Sequence, residues 1–267
     1  MSLEIKNLSF SYRCFPVLKN IDCSLKEGNL VCVLGKNGVG KSTLFRCILG
    51  ALKNYEGEIY VNEKNIRTMN EGEMARKIAY IPQNHSAIYS FDVVDMVMMG
   101  TTSMLKGFRS PGKKERALAM AALHLLEIDS LANRSFCHLS GGEQQLVLIA
   151  RALAQQTKIL VMDEPCANLD YGNQIRVMEA LKKLAKMGYL IIQSTHNPEH
   201  AFLYANQAMV LLDGSILKNG RPKDVLTEEV LLKMYETKIA VYDLDENLKV
   251  CIPKRKNERK ERYVEAV

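Results

Sequence analysis

The sequence predicts an α/β fold in which a parallel β-sheet carries an inserted helical segment. A continuous apolar run at Leu30–Leu34 ends in a glycine and is followed by helical spacing of apolar residues, which is typical of a strand buried on both faces. Strand and helix patterns alternate again from Lys158 to Leu212, as in α/β domains. Between these parts, from Asn84 to about Thr157, apolar residues recur at helical spacing and predict the insertion.

The predicted elements follow from these patterns in chain order. The first half contains strands at Ser2–Phe10, Val17–Leu25 and Leu30–Leu34, a helix after Lys41, a hairpin-like strand at Glu58–Val61, a short helix near Glu71–Lys77, and a strand at Ile78–Ile81. The second half contains strands at Lys158–Met162, Tyr189–Ser194 and Ala208–Leu212, helices at Gly172–Met187 and Asn197–Tyr204, and a strand pair within Ala240–Ile252 that turns at Asp245–Asn247.

These elements suggest a division of the chain. We predict a core formed by residues 1–83 and 158–252, with one domain over 2–240. The helical insertion occupies residues 84–157. Residues 253–267 are a charged tail that we expect to be frayed.

The composition is that of a globular chain. Of the 267 residues, 47% are hydrophobic and 25% are charged, which excludes disordered and collagen-like classes. The net charge is +6, and the segment Pro253–Val267 holds six Lys or Arg against three Glu. The remainder therefore carries half of the excess, too little to indicate nucleic-acid binding. We expect no nucleic-acid partner.

Membrane spans, export signals and disulfides are not predicted. No apolar stretch approaches the ~18 residues of a span, and the opening MSLEIKNLSF lacks the apolar run of a signal peptide. The seven cysteines are odd in number, form no Cys-x-x-Cys pair, and lie in several cases inside apolar runs. Buried free thiols in a reducing compartment are the expectation.

A glycine-rich loop follows the buried strand and has the pattern G-x-x-x-x-G-K-S. Such a loop wraps phosphates with backbone N–H groups at a helix N-terminus. Lys41 is expected to reach the β- and γ-phosphates, and the Ser42 hydroxyl to bind Mg²⁺. The predicted nucleotide contacts from this segment are Gly35, Lys36, Asn37, Gly38, Val39, Gly40, Lys41, Ser42 and Thr43.

Two carboxylates end a second apolar strand. Asp163 and Glu164 follow Ile159–Met162, and ligands of open α/β sheets gather at the carboxyl ends of the strands. On its own this pattern is a solvated acidic strand end. Together with the phosphate loop it predicts that Asp163 binds magnesium and that Glu164 orients or deprotonates the attacking water.

A third motif begins a helix. Leu139-Ser140-Gly141-Gly142-Glu143-Gln144-Gln145 combines a Ser N-cap with a Glu three residues later, which is a capping box. A well-capped helix start is the plain interpretation. The two glycines also make an anion site, which is useful if it completes the nucleotide pocket of a second copy.

With this motif, LSGGEQQ, the sequence resembles the ATP-binding cassette (ABC) ATPase family over residues 2 to about 252. The resemblance implies a P-loop NTPase (RecA-like) core with an N-terminal antiparallel β-subdomain and an inserted helical subdomain, the ABC ATPase fold. It also implies ATP and Mg²⁺ as cofactors and a head-to-tail homodimer in which Ser140, Gly141 and Gly142 of one copy face the ATP of the other.

The resemblance gives roles to four further residues. Tyr12 matches the aromatic that stacks on adenine, and Gln83 matches the glutamine that senses magnesium and the membrane partner. Asp170, in Ala167-Asn168-Leu169-Asp170, matches the loop that crosses the dimer interface. His196 matches the switch histidine at the γ-phosphate, so the catalytic set is Glu164, His196 and Lys41.

The insertion indicates which kind of family member this is. After Gln83 it contains an apolar, Met-rich run of Ile88, Tyr89, Phe91, Val94, Met96, Met98 and Met99. A Met-rich surface suits a groove that accepts a partner's helix, although subdomain core is an equal alternative for each residue. Its sequence resembles importers of iron–siderophore, haem and cobalamin in Val93–Gly100, Phe108–Pro111 and Lys113–Glu115.

The resemblance thus implies an ATPase subunit of an importer, peripheral on the cytoplasmic face of the cell membrane. It would act with membrane permease subunits and, through them, with a substrate-binding protein. Other importers, such as those for polyamines and amino acids, remain alternatives, as does a soluble ATPase of iron–sulfur cluster assembly.

Overall fold

The computed structural model of the protein describes residues 1–83, 90–105, 110–245 and 249–254. Its strands are β1 (Ser2–Tyr12), β2 (Phe15–Lys26), β3 (Leu30–Leu34), β4 (Glu56–Val61), β5 (Lys64–Asn65), β6 (Ile78–Ile81), β7 (Ile159–Met162), β8 (Leu190–Thr195), β9 (Gln207–Leu212), β10 (Ser215–Gly220), β11 (Ile239–Asp243) and β12 (Lys249–Pro253). Its α-helices are α1 (Lys41–Ile48), α2 (Glu71–Ala75), α3 (Val93–Met98), α4 (Lys113–Leu125), α5 (Gly141–Ala154), α6 (Tyr171–Lys186), α7 (Pro198–Tyr204), α8 (Pro222–Val225) and α9 (Glu228–Tyr235).

The centre of the molecule is a six-stranded sheet in the order β10-β9-β3-β8-β7-β6. All neighbours in it are parallel except the edge pair β9–β10. Every residue of β3, β7 and β8 is buried, as expected for apolar runs covered on both faces. The α/β prediction is therefore confirmed.

An antiparallel sheet in the order β2-β1-β4-β5 precedes this core. The inward residues of β1 and β2 alternate with outward ones, and Leu3, Ile5, Leu8 and Ile21 have at most 2% of their surface exposed. They pack with α1 and with one face of β3 and β7. The packing places the loop between β3 and α1 against the hairpin of β1 and β2.

The helical insertion lies in the chain between the neighbouring strands β6 and β7. Helices α3, α4 and α5 pack on one another around Leu123, Phe136 and Val147. Gly100 allows a close approach here, because a Cβ on it would lie 2.0 Å from the carbonyl oxygen of Arg151.

This packing decides between the two interpretations of the Met-rich run. Val94 and Met96 are buried in the core of the insertion, and Met98 and Met99 are partly buried against it. Contact with a partner is therefore the wrong interpretation for Val94 and Met96, which serve as subdomain core. Phe91 is 38% exposed, and Ile88, Tyr89 and Phe108 lie outside the described residues.

The C-terminal part contains three elements that the sequence patterns did not predict. Strand β10 forms a hairpin with β9 through Asp213 and Gly214, both with positive φ, and an Asp-Gly pair is a hairpin signal that was present in the sequence. Helices α8 and α9 then pack on the outer face of β3 and β9. The predicted strand pair is present as β11 and β12, and part of its turn lies outside the described residues.

Two expectations about the chain can be compared with the structure. Among the residues that the structure describes, none of the helices combines the length and the hydrophobicity that a membrane span requires. The seven cysteines are free, with Cys23, Cys32, Cys47 and Cys166 buried, Cys251 intermediate, and Cys14 and Cys137 exposed. Burial raises the pKa of the four buried thiols to about 12, which keeps them protonated and unreactive at neutral pH.

Candidate functional site

The glycine-rich loop connects the buried strand β3 to helix α1. Gly38 and Gly40 have φ values of 80° and 113°, a region that glycine enters without steric cost. A Cβ on Gly40 would also lie 3.0–3.2 Å from Val17 and Leu18 of β2. The two glycines therefore let the loop turn tightly into the N-terminus of α1.

The Lys41 ammonium lies inside this loop, with only 6% of the residue exposed. Its Nζ donates to the carbonyl oxygens of Gly35 (2.7 Å) and Lys36 (3.2 Å) and lies 3.8 Å from Glu164 Oε1. Burial lowers the pKa of Lys41, while the carboxylates of Glu164 and Asp163 partly oppose that shift. The loop thus holds a desolvated cation where polyphosphate oxygens can replace its carbonyl acceptors.

The two carboxylates at the end of β7 are held by a residue that the sequence analysis missed. The fully buried Ser194 donates its hydroxyl to Asp163 Oδ1 (2.6 Å) and accepts the backbone N–H of Glu164 (2.8 Å). That bond fixes Glu164 at a φ of 48°, which is uncommon for a side chain other than glycine. Ser194 lies on β8, the neighbour of β7 in the sheet, two residues before His196. Only the strand order reveals this neighbour relation.

Two further predicted residues converge on Glu164. Gln83, two residues after β6, donates through Nε2 to Glu164 Oε2 at 3.3 Å. His196, directly after β8, has its Nδ1 3.5 Å from the same oxygen. Glu164 is therefore surrounded by Gln83 and His196, which follow the ends of β6 and β8, and by Lys41 at the start of α1.

A cavity of about 290 Å³ lies beside Lys41, Gln83, Asp163 and Glu164, and His196 is not among the residues that line it. Of the predicted site residues, those that line it are Asn37, Gly38, Gly40, Lys41, Ser42, Thr43, Gln83, Asp163 and Glu164. Its wall is thus formed by backbone of the loop, one cation and two carboxylates. This arrangement suits a phosphate chain bound beside a magnesium ion.

Four other predicted nucleotide contacts, three loop residues and Tyr12, lie around the cavity and do not line it. Gly35 supplies a carbonyl to Lys41, and Val39 packs against the core between the two sheets. Lys36 forms an ion pair with Glu236. Tyr12 lies at the end of β1, 40% exposed, with its hydroxyl 3.5 Å from Nη1 of Arg46 on α1.

The glycine motif at the start of α5 does not line the cavity. Ser140 caps α5 by accepting the N–H of Glu143, whose carboxylate accepts the N–H of Ser140, so the predicted capping box is present. A Cβ on Gly142 would lie 2.2 Å from Asn173 of α6, and one on Gly141 would lie 3.3 Å from Leu169.

Asp170 also lies away from the cavity. It caps α6 through the N–H of Asn173 at 2.9 Å, and this hydrogen bond lowers the pKa of Asp170. The two helix starts therefore pack on each other, outside the phosphate cavity of the same chain.

The donor set is compatible with magnesium. Among the described residues, no three His, Cys, Asp or Glu side chains cluster as a metal cage. Magnesium is usually held by one or two carboxylates together with substrate phosphates and waters. Asp163, Ser42 and the amide oxygen of Gln83 are hard oxygen donors of that kind, and all three residues line the cavity.

Comparison with known proteins defines the class. Residues 18–167 match the ABC transporter family, and the chain belongs to this family. It is an ATP-binding subunit of the transporter type, an enzyme that hydrolyses ATP to power transport.

Particular relatives match over nearly the whole chain. An ABC transporter ATP-binding protein of Haemophilus influenzae, itself uncharacterised, is 46% identical over 89% of this chain and 90% of its own length. An ATP-binding protein of Helicobacter pylori named for iron chelatin transport is 34% identical over 94% of this chain and 99% of its own length. Other relatives are named for molybdate, hemin, manganese and cobalamin.

Solved structures agree with the fold. An inward-facing transporter described as of the metal-chelate ABC type has a TM-score of 0.84 and 31% identity, with 96% of this chain and 98% of that chain covered. A dimeric ATP-binding cassette with ADP and phosphate has a TM-score of 0.71 and 29% identity, with 82% and 98% covered. The predicted ABC ATPase fold is confirmed.

The serine between the two carboxylates gives a testable prediction. Ser194→Ala removes the acceptor of the partly buried Glu164 N–H and the donor to the buried Asp163 carboxylate. An unsatisfied buried N–H costs about 1–3 kcal/mol, so we expect unfolding in urea to show a loss of stability of that size, together with a clear fall in kcat for ATP hydrolysis. The matched control is Ser24→Ala on the exposed side of β2. Unchanged stability and kcat in Ser194→Ala would contradict the assigned contact.

Proposed function

We propose that the chain hydrolyses ATP with its own phosphate cavity and the α5 N-terminus of a second copy. The observation that carries the proposal is the convergence of Lys41, Asp163 and Glu164 on one cavity. Lys41 binds the β- and γ-phosphates, and the loop N–H groups cradle them. Magnesium, when bound, supplies positive charge that offsets the charge of the β- and γ-oxygens.

Glu164 is the base in this proposal. Its carboxylate accepts the proton of a water, or orients that water, in line with the γ-phosphorus. Gln83 and His196 both lie within 3.5 Å of Glu164 Oε2. They hold the carboxylate in position relative to the γ-phosphate. Asp163 and Ser42 hold the cation, with Gln83 as a further ligand, and Tyr12 stacks on the adenine.

The second copy is needed because the LSGGEQQ helix start does not line the cavity of its own chain. Ser140, Gly141 and Gly142 form an anion site at a helix N-terminus, yet none of them lines the cavity. A head-to-tail dimer would supply this site to the γ-phosphate of the partner, with Asp170 at the interface. The dimeric relative reported above supports association of such cassettes.

Transport is the process that hydrolysis powers. We infer that the chain works from the cytoplasmic face of the membrane, bound to permease subunits through the insertion that follows Gln83, and that a substrate-binding protein delivers the cargo. The relatives named above are transporter components, and none supports the soluble iron–sulfur alternative. The proposed cargo is a metal chelate: a ferric siderophore, haem or cobalamin.

The metal-chelate class is supported by the insertion sequence and by the names of the relatives for iron chelatin, hemin and cobalamin. A second candidate class, oxyanion or free metal-ion import, is favoured by the relatives named for molybdate and manganese. The cargo is bound by other subunits, so the site of this chain serves either class.

The base assignment predicts a specific separation of binding from hydrolysis. Glu164→Gln keeps the loop contacts but removes the proton acceptor, and loss of a positioned base costs about 10²–10⁴ in rate. We expect ATP affinity near wild type, kcat lowered by that factor, and accumulation of an ATP-bound dimer in size-exclusion chromatography. Lys41→Ala, the contrasting variant, should weaken ATP binding itself. Turnover near wild type in Glu164→Gln would exclude this residue as the base.

The shared site predicts complementation between two inactive chains. Lys41→Ala damages the phosphate loop and Ser140→Arg damages the helix start, so a mixed dimer holds one intact composite site and one doubly damaged site. We expect ATPase activity to appear when the two inactive variants are mixed, in proportion to the fraction of mixed dimers. Mixtures as inactive as their components would indicate that each chain carries a self-contained site.

The cargo class is tested on the assembled transporter. The chain is purified with its permease from membranes, reconstituted in liposomes with the substrate-binding protein, and supplied with ATP. We expect ATP-dependent uptake of one of a ferric siderophore, haem or cobalamin, and none with Glu164→Gln. Uptake of molybdate or manganese with no chelate uptake would instead support the second class.

A further inference from the structure

The last helix of the chain contacts the loop that holds His196. At the end of α9, the Tyr235 hydroxyl donates to the backbone carbonyl oxygen of His196 at 2.5 Å. The next residue, Glu236, pairs with Lys36 of the phosphate loop. Helix α9 was not predicted from the sequence, and no motif of the site includes Tyr235 or Glu236.

The two contacts differ in how strongly they restrain the loops that they reach. The Lys36–Glu236 pair is solvent-exposed, with 40% and 79% of the side chains accessible, and exposed ion pairs contribute little because water screens them. Tyr235 is half-buried. Burial raises its pKa, with a further contribution from Cys251, so the phenol keeps the proton that it donates. The Tyr235 hydrogen bond is therefore the stronger restraint.

His196 depends on restraints of its backbone. Its imidazole is 63% exposed and makes a 3.5 Å approach to Glu164, so the ring itself is little packed. On the two sides of it, Thr195 Oγ1 accepts the N–H of Asn197 (3.0 Å), and Asn197 caps α7 through the N–H of Glu199 (2.9 Å). The carbonyl of His196 is held from outside this loop, by Tyr235.

Helix α9 is itself firmly anchored. Leu231 and Met234 are fully buried against the outer face of β3 and β9. Glu228 accepts the N–H of Val241 on β11 and pairs with Lys254 after β12. A tyrosine on this helix can therefore act as a fixed point for the loop after β8.

We propose that Tyr235 is a positioning residue for His196, which keeps the imidazole within reach of Glu164 and of the γ-phosphate. The proposal rests on the function proposed above for His196. It deepens that function by assigning the C-terminal helix, outside every nucleotide-binding motif, a part in the geometry of hydrolysis.

The test is a double-mutant cycle on ATP hydrolysis by the full-length chain, with Tyr235→Phe, His196→Ala and both together. Tyr235→Phe keeps the ring and removes only the donor. We expect kcat to fall about three- to tenfold, the rate equivalent of one hydrogen bond, with KM for ATP unchanged. In the His196→Ala background, Tyr235→Phe should cause no further loss, because the group that it positions is gone.

The control is Tyr242→Phe on β11, an exposed tyrosine whose kcat should match wild type, and thermal unfolding is recorded for all variants. Additive losses in the double mutant, or a wild-type kcat in Tyr235→Phe, would overturn the inference while leaving the role of His196 intact. A fully active His196→Ala would overturn both the proposed role of His196 and the inference. A purely structural Tyr235 would lower the unfolding temperature and act equally in both backgrounds.

Discussion

The nucleotide site depends on the parallel pairing of β3, β8 and β7. The register pairs Leu34 with Thr195 and Met162 with Gln193, so the residues that follow these pairs meet at one edge of the sheet. This register brings the phosphate loop together with His196 and the carboxylates of Asp163 and Glu164, which all lie more than a hundred residues after the loop. Because parallel strands share the direction of their carboxyl ends, the site is a direct consequence of the sheet.

Charge and hydrogen bonding give the side chains at this edge of the sheet different roles. Burial disfavours the charged form of Lys41 and two carboxylates favour it, so the ammonium is kept among carbonyl oxygens until stronger anionic acceptors are offered. Ser194 uses its single hydroxyl twice, as donor to Asp163 and as acceptor for Glu164. The carboxylate proposed to bind the cation and the carboxylate proposed to act on water are thereby fixed relative to each other.

The helical insertion and the C-terminal helix affect the nucleotide site in different ways. The insertion buries Val94 and Met96 and sets the start of α5 against α6, with Gly142 beside Asn173. That packing keeps the LSGGEQQ motif out of the cavity of its own chain. This geometry is the reason for proposing a site shared between two copies. The C-terminal helix, by contrast, contacts the loop of His196 through Tyr235 and the phosphate loop through Glu236.

The sequence by itself determined the features that depend on local chemistry. The loop pattern before α1, the apolar runs of β3 and β7 and the capping box at Ser140 are short-range features, and each is present in the structure. The family and the α/β core followed from the order of these motifs along the chain.

Tertiary structure decided what depends on contacts between distant segments. Helical spacing in the insertion could not say whether Met96 faces core or partner, because both surfaces are apolar. Glu164 is held by Ser194, 30 residues away, and His196 is held by Tyr235, 39 residues away. Neither Ser194 nor Tyr235 belongs to a local sequence pattern that would identify it. Their positions follow from the strand order and from the packing of α9 on the sheet. Both are set by contacts that form only when the chain folds.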